Sequence, residues 1–144
     1  MRVRRIQLRD FRNYEAAEVE LADGLTVVAG PNGAGKTNLL EAVYFGCTGA
    51  SPRTSNEREL VRRGATVARV VIGTRDEDAA HRIEAGFQPG EAKRLRVDGS
   101  AVNSLSTLDA RPLVSVFMPE RLELVKGAPS ARRAHLDQFV AALW

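Results

Sequence analysis

The stretch VVAGPNGAGKTNLLEAV spans residues 27–43, and its reading decides the rest of the chain. An apolar run at residues 25–29 breaks into Gly30, Gly33 and Gly35, then Lys36 and Thr37, after which apolar residues return at helical spacing. Gly30, Pro31, Asn32, Gly33, Ala34, Gly35, Lys36 and Thr37 satisfy G-x-x-x-x-G-K-[ST] without a gap. Glycine lets backbone N–H groups turn inward and approach an anion closely, and the start of the following helix adds unsatisfied donors and the positive end of its dipole. In such a loop the lysine reaches the β- and γ-phosphates and the threonine hydroxyl ligates Mg²⁺. The pattern predicts a nucleotide phosphate site; a glycine-rich turn that merely precedes a helix is the plainer alternative.

Working outward, Val3, Ile6 and Leu8 stand among Arg2, Arg4, Arg5 and Arg9, which reads as a first strand with one charged face. Beyond the Arg12-Asn13 corner, Ala17, Val19 and Leu21 alternate with Glu18 and Glu20 as a second strand. Asp23-Gly24 reads as a turn into a further strand at residues 25–29. The helix from Thr37 carries Leu40, Val43 and Tyr44 and is expected to end near Gly46 or Gly49. Residues 51–64 are polar, with a short helical turn over residues 57–61. An antiparallel meander follows: Ala68, Val70 and Ile72; then His81, Ile83, Ala85 and Phe87; then residues 95–97. Ser104 is expected to cap a short helix ending near Asp109, and residues 113–117 to form another strand. One or two helical turns over residues 120–125 and a last helix from about Ala131, with Leu136, Phe139, Val140 and Leu143 on one face, complete the reading.

A chain of 144 residues fits one domain, and 44% hydrophobic with 27% charged residues is ordinary for a globular protein. No apolar run approaches the roughly 18 residues of a membrane span, and the charged start MRVRRIQLRDFR has no signal-peptide core. The single cysteine, Cys47, excludes a disulfide framework and a zinc cluster, so a reducing cytoplasm is expected. Lys and Arg exceed Asp and Glu by 21 to 18, a net charge of +3 that permits nucleic-acid binding without arguing for it.

Three separated stretches carry a resemblance. IQLRDFRNYEAAEVEL followed by GLTVVAGPNGAGKTNLLEAV is similar to the start of ABC-type ATPase heads used in chromosome maintenance and recombination. VFMPERLELVKGAPSARRAHLD, with SPRTSNERELVRRG, resembles the RecF family of bacterial DNA replication and repair proteins. The resemblance implies an α/β fold of the P-loop NTPase kind, with a mixed sheet, the loop helix packed on it and an antiparallel meander. It implies ATP and Mg²⁺ as ligands, with Thr37 on the metal and Asn32 facing the γ-phosphate. Arg12 and Asn13, at a corner that lies near the nucleotide in related heads, become ATP contacts; a plain β-corner with an exposed arginine is the alternative. The implied function is ATP-dependent dimerisation and DNA binding (duplex or single/double-strand junctions) in recombinational repair, replication restart and the SOS response. RecR and RecO are the implied partners.

Some positions depart from that pattern or stand apart from it. Met118, Pro119 and Glu120 occupy the place of a glutamine common in such heads; Glu120 acts there through a water or as a helix-start carboxylate. Arg132 and Arg133, expected in the first turn of the last helix, oppose its dipole and point to an anion, either DNA phosphate or a carboxylate outside this chain; two solvated arginines are the alternative. Arg2, Arg4, Arg5 and Arg9 read as a solvated strand face, His81 and His135 as structural, and Cys47 as a small core residue. Asp76-Glu77-Asp78 reads as a hairpin turn rather than a catalytic acidic pair. With no such pair and no Ser-Gly-Gln-type signature, residues 1–144 read as the N-terminal part of a head, inactive alone. The competing readings are an ATPase subunit of a membrane transporter and a module in which ATP is only structural.

Overall fold

The computed structural model describes residues 1–105, 112–117, 128–130, 132–133, 136–137 and 140. Residues 1–114 form one compact unit and residues 115–144 another. In the first unit, six strands make a sheet of order β2-β1-β3-β4-β5-β6. They are β1 (Arg2–Phe11), β2 (Tyr14–Glu20), β3 (Ala68–Arg75), β4 (Ala80–Phe87), β5 (Arg94–Val97) and β6 (Ser100–Val102), and every neighbouring pair is antiparallel. Between β2 and β3 the chain crosses one face of this sheet as the helix α1 (Lys36–Thr48) and a short 3-10 turn (Glu57–Leu60).

Alternation decides which face is covered. Ile6 and Leu8 of β1, Val70 and Ile72 of β3, and Ile83 and Ala85 of β4 point to one side and are buried. Leu39, Ala42, Phe45 and Cys47 of α1 close over them. Asp10 sits in the left-handed region (φ 49°), which breaks the alternation and turns Phe11 over to the helix side. There the Phe11 ring lies 5.9 Å from Phe45, tilted by 41°. The helix ends where Gly49 enters the left-handed region (φ 73°) and returns its N–H to the Phe45 carbonyl at 2.7 Å.

Two apolar runs that alternation and composition predict as strands, residues 25–29 and 113–117, are not strands here. A strand is held by ladder hydrogen bonds, and neither run pairs with a described neighbour. Leu25, Val27, Leu113 and Phe117 are exposed as a result. The hairpin turns at Arg12-Asn13, where Phe11 faces Tyr14, and not at Asp23-Gly24. Asp23 instead accepts hydrogen bonds from Arg2 and Arg4. The expected short helix at 104–109 lies outside the described residues beyond residue 105, as do residues 120–125 and most of the last helix, Phe139 and Leu143 included. In the second unit the backbone is already helical at Pro129 and Ser130, with proline suited to a helix start.

Helix and sheet come close at Gly46, where a Cβ would stand 2.4 Å from the Ile72 side chain and 2.8 Å from Val70. Gly46→Val should therefore destabilise the fold by about 1–3 kcal/mol through overpacking. Thermal unfolding of the protein checks this; an unchanged midpoint would mean that the helix rests farther from the sheet.

Candidate functional site

The phosphate loop begins where the exposed run 25–29 ends and closes at the N-terminus of α1. Gly33 (φ 82°) and Gly35 (φ 103°) adopt backbone conformations that side chains rarely tolerate. At Gly35 a Cβ would also stand 2.7 Å from the Asn13 amide, so the corner and the loop approach each other only because a glycine is there. The first intrahelical bond runs from the Leu39 N–H to the Gly35 carbonyl at 2.9 Å. The N–H groups of Lys36, Thr37 and Asn38 precede it and belong to the unsatisfied first turn. No acidic residue occupies that turn. Lys36 folds back over the loop, its Nζ donating to the carbonyls of Gly30 and Pro31, each at 2.7 Å. Pro31, Asn32, Gly33, Ala34 and Thr37 are exposed around it.

The Arg12-Asn13 corner reaches this loop in two different ways. The Asn13 amide donates to the Ala34 carbonyl at 3.3 Å and accepts from Asn38 at 2.9 Å, while the Tyr14 hydroxyl donates to the Gly35 carbonyl at 3.2 Å. Arg12, in the left-handed region (φ 54°), instead grips Glu41 of α1 through Nε at 2.8 Å and Nη2 at 2.7 Å. Glu41 is wholly buried, and its remaining bonds come from the Ser51 hydroxyl at 2.7 Å and Arg53 Nη1 at 3.2 Å. The same Arg53 nitrogen donates to Asn38 Oδ1 at 2.9 Å. A continuous chain of contacts thus joins the corner, the helix start and the segment after the helix. Burial alone would push the Glu41 carboxyl upward; hydrogen bonds from Arg12 and Ser51, with the charges of Arg12 and Arg53, outweigh it and hold the group below the ordinary carboxylate range.

Sequence reasoning found the loop and the corner but missed Glu41, Asn38, Ser51 and Arg53. A signal was present: Glu41 is a lone charge among Leu39, Ala42 and Phe45 on the helix face that becomes core. The other sequence candidates separate from the loop. Asp76 accepts the N–H groups of Asp78 and Ala79 as a turn residue, at 3.1 and 2.8 Å. His81 Nδ1 lies 2.7 Å from Asp98, and Cys47 is core. Arg132 and Arg133 are exposed and lie after Pro129 and Ser130 in a helical backbone, beyond its start, where the dipole effect has begun to fall off. Glu120 and His135 lie outside the described residues.

This geometry agrees with comparison to known proteins. A family model described as AAA domain matches residues 5–120. The chain belongs to the AAA domain family. Among its relatives, the DNA replication and repair protein RecF of Streptomyces avermitilis is 40% identical over 144 residues, covering 99% of this chain and 38% of the relative. A solved structure of the recombination mediator protein RecF-ATPrS in the RecFOR pathway superposes with a TM-score of 0.88 at 30% identity, covering 99% of this chain and 39% of that one. A structure from the structural biochemistry of ATP-driven dimerization and DNA stimulated activation of SMC ATPases shares the fold, with a TM-score of 0.74 at 24% identity over 95% of this chain and 98% of that one. This AAA domain matches the N-terminal part of RecF and spans about 38% of the length of the curated relatives. Its fold is that of the P-loop ATPase heads of RecF and SMC proteins, with the loop helix on the sheet and the meander strands β3 to β5 continuing that same sheet.

Replacing Glu41 with glutamine leaves Arg12 and Arg53 without their shared charge and should cost about 3 kcal/mol or more. Because the carboxyl is held low in the folded protein, the stabilisation it provides is present above the ordinary carboxylate range and is lost as pH falls through the lower, folded value. Denaturant unfolding from pH 7 down to pH about 3 should show the wild type losing its advantage over Glu41→Gln in that acidic window. Parallel pH profiles would contradict the assignment.

Proposed function

We propose that this chain is the nucleotide-binding lobe of an ATP-dependent DNA repair protein of the RecF kind. One observation carries the reading: Lys36 stands over a glycine loop whose inward face joins the open N-terminus of α1, with no acid in its first turn. That arrangement suits the β- and γ-phosphates of ATP, with Gly30, Pro31, Asn32, Gly33, Ala34, Gly35, Lys36 and Thr37 around them. Identity of 40% to RecF and likeness to a RecF-ATPrS structure support ATP as the nucleotide. Asn13 is placed to buttress the loop and Arg12 to hold the helix, both acting beside the nucleotide.

Thr37 is exposed in the first turn of α1, and its hydroxyl is the kind of hard oxygen donor that suits Mg²⁺. Among the described residues no cluster of three His, Cys, Asp or Glu could hold a metal alone, so Thr37 and the phosphates themselves would hold the ion. Bound there, Mg²⁺ would neutralise charge on the β- and γ-oxygens.

The wider role extends this reading. The chain serves as the N-terminal part of a head; ATP joins two heads, the dimer holds DNA, and slow hydrolysis releases it. Recombinational repair, replication restart and the SOS response are the processes, RecR and RecO the partners, and the cytoplasm the place. Arg132 and Arg133 act as contacts to DNA or to a carboxylate elsewhere in the full-length protein. Among the described residues no helix is long and apolar enough to cross a membrane.

Lys36→Ala should abolish binding of a fluorescent ATP analogue while the unfolding midpoint changes little, because the lysine is the first residue of α1 and lies outside the core. Unchanged affinity in the variant would overturn the phosphate-loop assignment.

A further inference from the structure

The face of the sheet opposite α1 is lined with arginines that the register, not the sequence order, brings together. Cross-strand partners share a face. On this one, Arg9 of β1 stands directly opposite Arg69 of β3; Arg69 faces Gly86 of β4, and Gly86 faces Arg94 of β5. Gly86 places no side chain in the row, so Arg9, Arg69 and Arg94 form a line across four strands, about 14 Å at the usual strand spacing. The next positions add Arg5 and Arg82, which both face Gly73, and Arg96, which faces Glu84. All of these arginines are exposed.

Like charges directly opposite destabilise a sheet. Ion pairs relieve them only in part. The carboxylates of the face on β1 to β5 are Glu18, Glu20 and Glu84, and Glu84 is shared by Arg69 and Arg82. Glu18 takes Arg5, Glu91 just before β5 takes Arg94 at 2.8 Å, Asp23 takes Arg2 at 2.9 Å, and Arg9 reaches only Asp10, at 3.6 Å. Among the described residues no ion pair engages Arg75 or Arg96, and Arg75 stands opposite Arg2. A whole chain of net charge +3 thus concentrates more positive than negative charge on one sheet face, with a local pairing rule broken twice.

We propose that this face binds the phosphate backbone of duplex DNA. The proposal rests on the DNA-binding role above and adds the surface. Charge complementarity to a polyanion is the argument for the partner. The absence of aromatic side chains on the face between Arg2 and Arg9 and across β3 to β5 selects duplex over single strand, because non-specific single-strand binding relies on stacking platforms. Arginine in every cationic position of the face, with no lysine, suits bidentate contact to phosphate oxygens.

The test is duplex binding by the full-length protein with a non-hydrolysable ATP analogue, followed by fluorescence anisotropy over a salt series. Arg9→Gln with Arg69→Gln and Arg94→Gln should lower the slope of log affinity against log salt by about 2.7, at ~0.9 per phosphate contact. ATP-analogue affinity should not change, and lysine at the same three positions should restore most of the slope. If the glutamine variant fails to fold, Arg94→Glu with Arg96→Glu on β5 should lower the slope by about 1.8, at ~0.9 per phosphate contact. A wild type that binds duplex while both variants match it in slope and affinity would overturn the proposal and leave the DNA role standing. A wild type that binds no duplex at all would remove the DNA role and the proposal with it. Equal affinity for a single strand of the same length, lost in the same variants, would overturn the choice of duplex.

Discussion

The buried carboxylate of Glu41 is the contact on which the rest of the nucleotide site depends. An ionised group with no exposed surface must have its charge and lone pairs met within the protein. Arg12 meets it from the β1-β2 corner, Ser51 and Arg53 from the segment after the helix. Two pieces of chain, the β1-β2 corner and the segment after the helix, are therefore fixed around one point on α1. Asn13 and Tyr14, next to Arg12, are in turn held against Ala34 and Gly35. The loop is held from outside by this corner and from inside by Lys36, so its backbone is arranged in advance for an anion. Preorganisation of this sort reduces the ordering cost of binding.

The sheet provides the frame for that clasp. Phe11 and Leu60 are fully buried where the end of β1 meets the 3-10 turn, and paired backbone bonds join the two, from Arg12 N–H to the Leu60 carbonyl and from Arg62 N–H to the Asp10 carbonyl. Gly46 lets α1 settle onto β3, which sets the distance from the sheet to the loop. The covered face of the sheet thus positions the nucleotide site, while the uncovered face carries the arginines. One architecture separates the proposed nucleotide side from the proposed polyanion side.

Much of this was legible in the sequence because it depends on local pattern. The glycine loop, α1 with an end near Gly46 or Gly49, the turn at Asp76 and the meander strands follow from spacing and turn chemistry. What was not legible depends on register and partners. Residues 25–29 and 113–117 have the composition of strands, yet a strand is made by its neighbours, and none of the described residues pairs with them. Arg9 and Arg69 look like ordinary strand charges until the register sets them face to face. The grip of Arg12 on Glu41 was not legible either; its one clue, a charge on an apolar helix face, gains meaning only once that face is known to be buried.

A crystal structure of the full-length protein with a non-hydrolysable ATP analogue and Mg²⁺ tests the phosphate loop most directly. The triphosphate is expected inside residues 30–37, on the N–H groups at the start of α1. Lys36 Nζ should have moved from the Gly30 and Pro31 carbonyls to phosphate oxygens, with the Arg12–Glu41 clasp unchanged. A nucleotide bound elsewhere, or a triphosphate in the loop with Lys36 still on those carbonyls, would contradict this expectation.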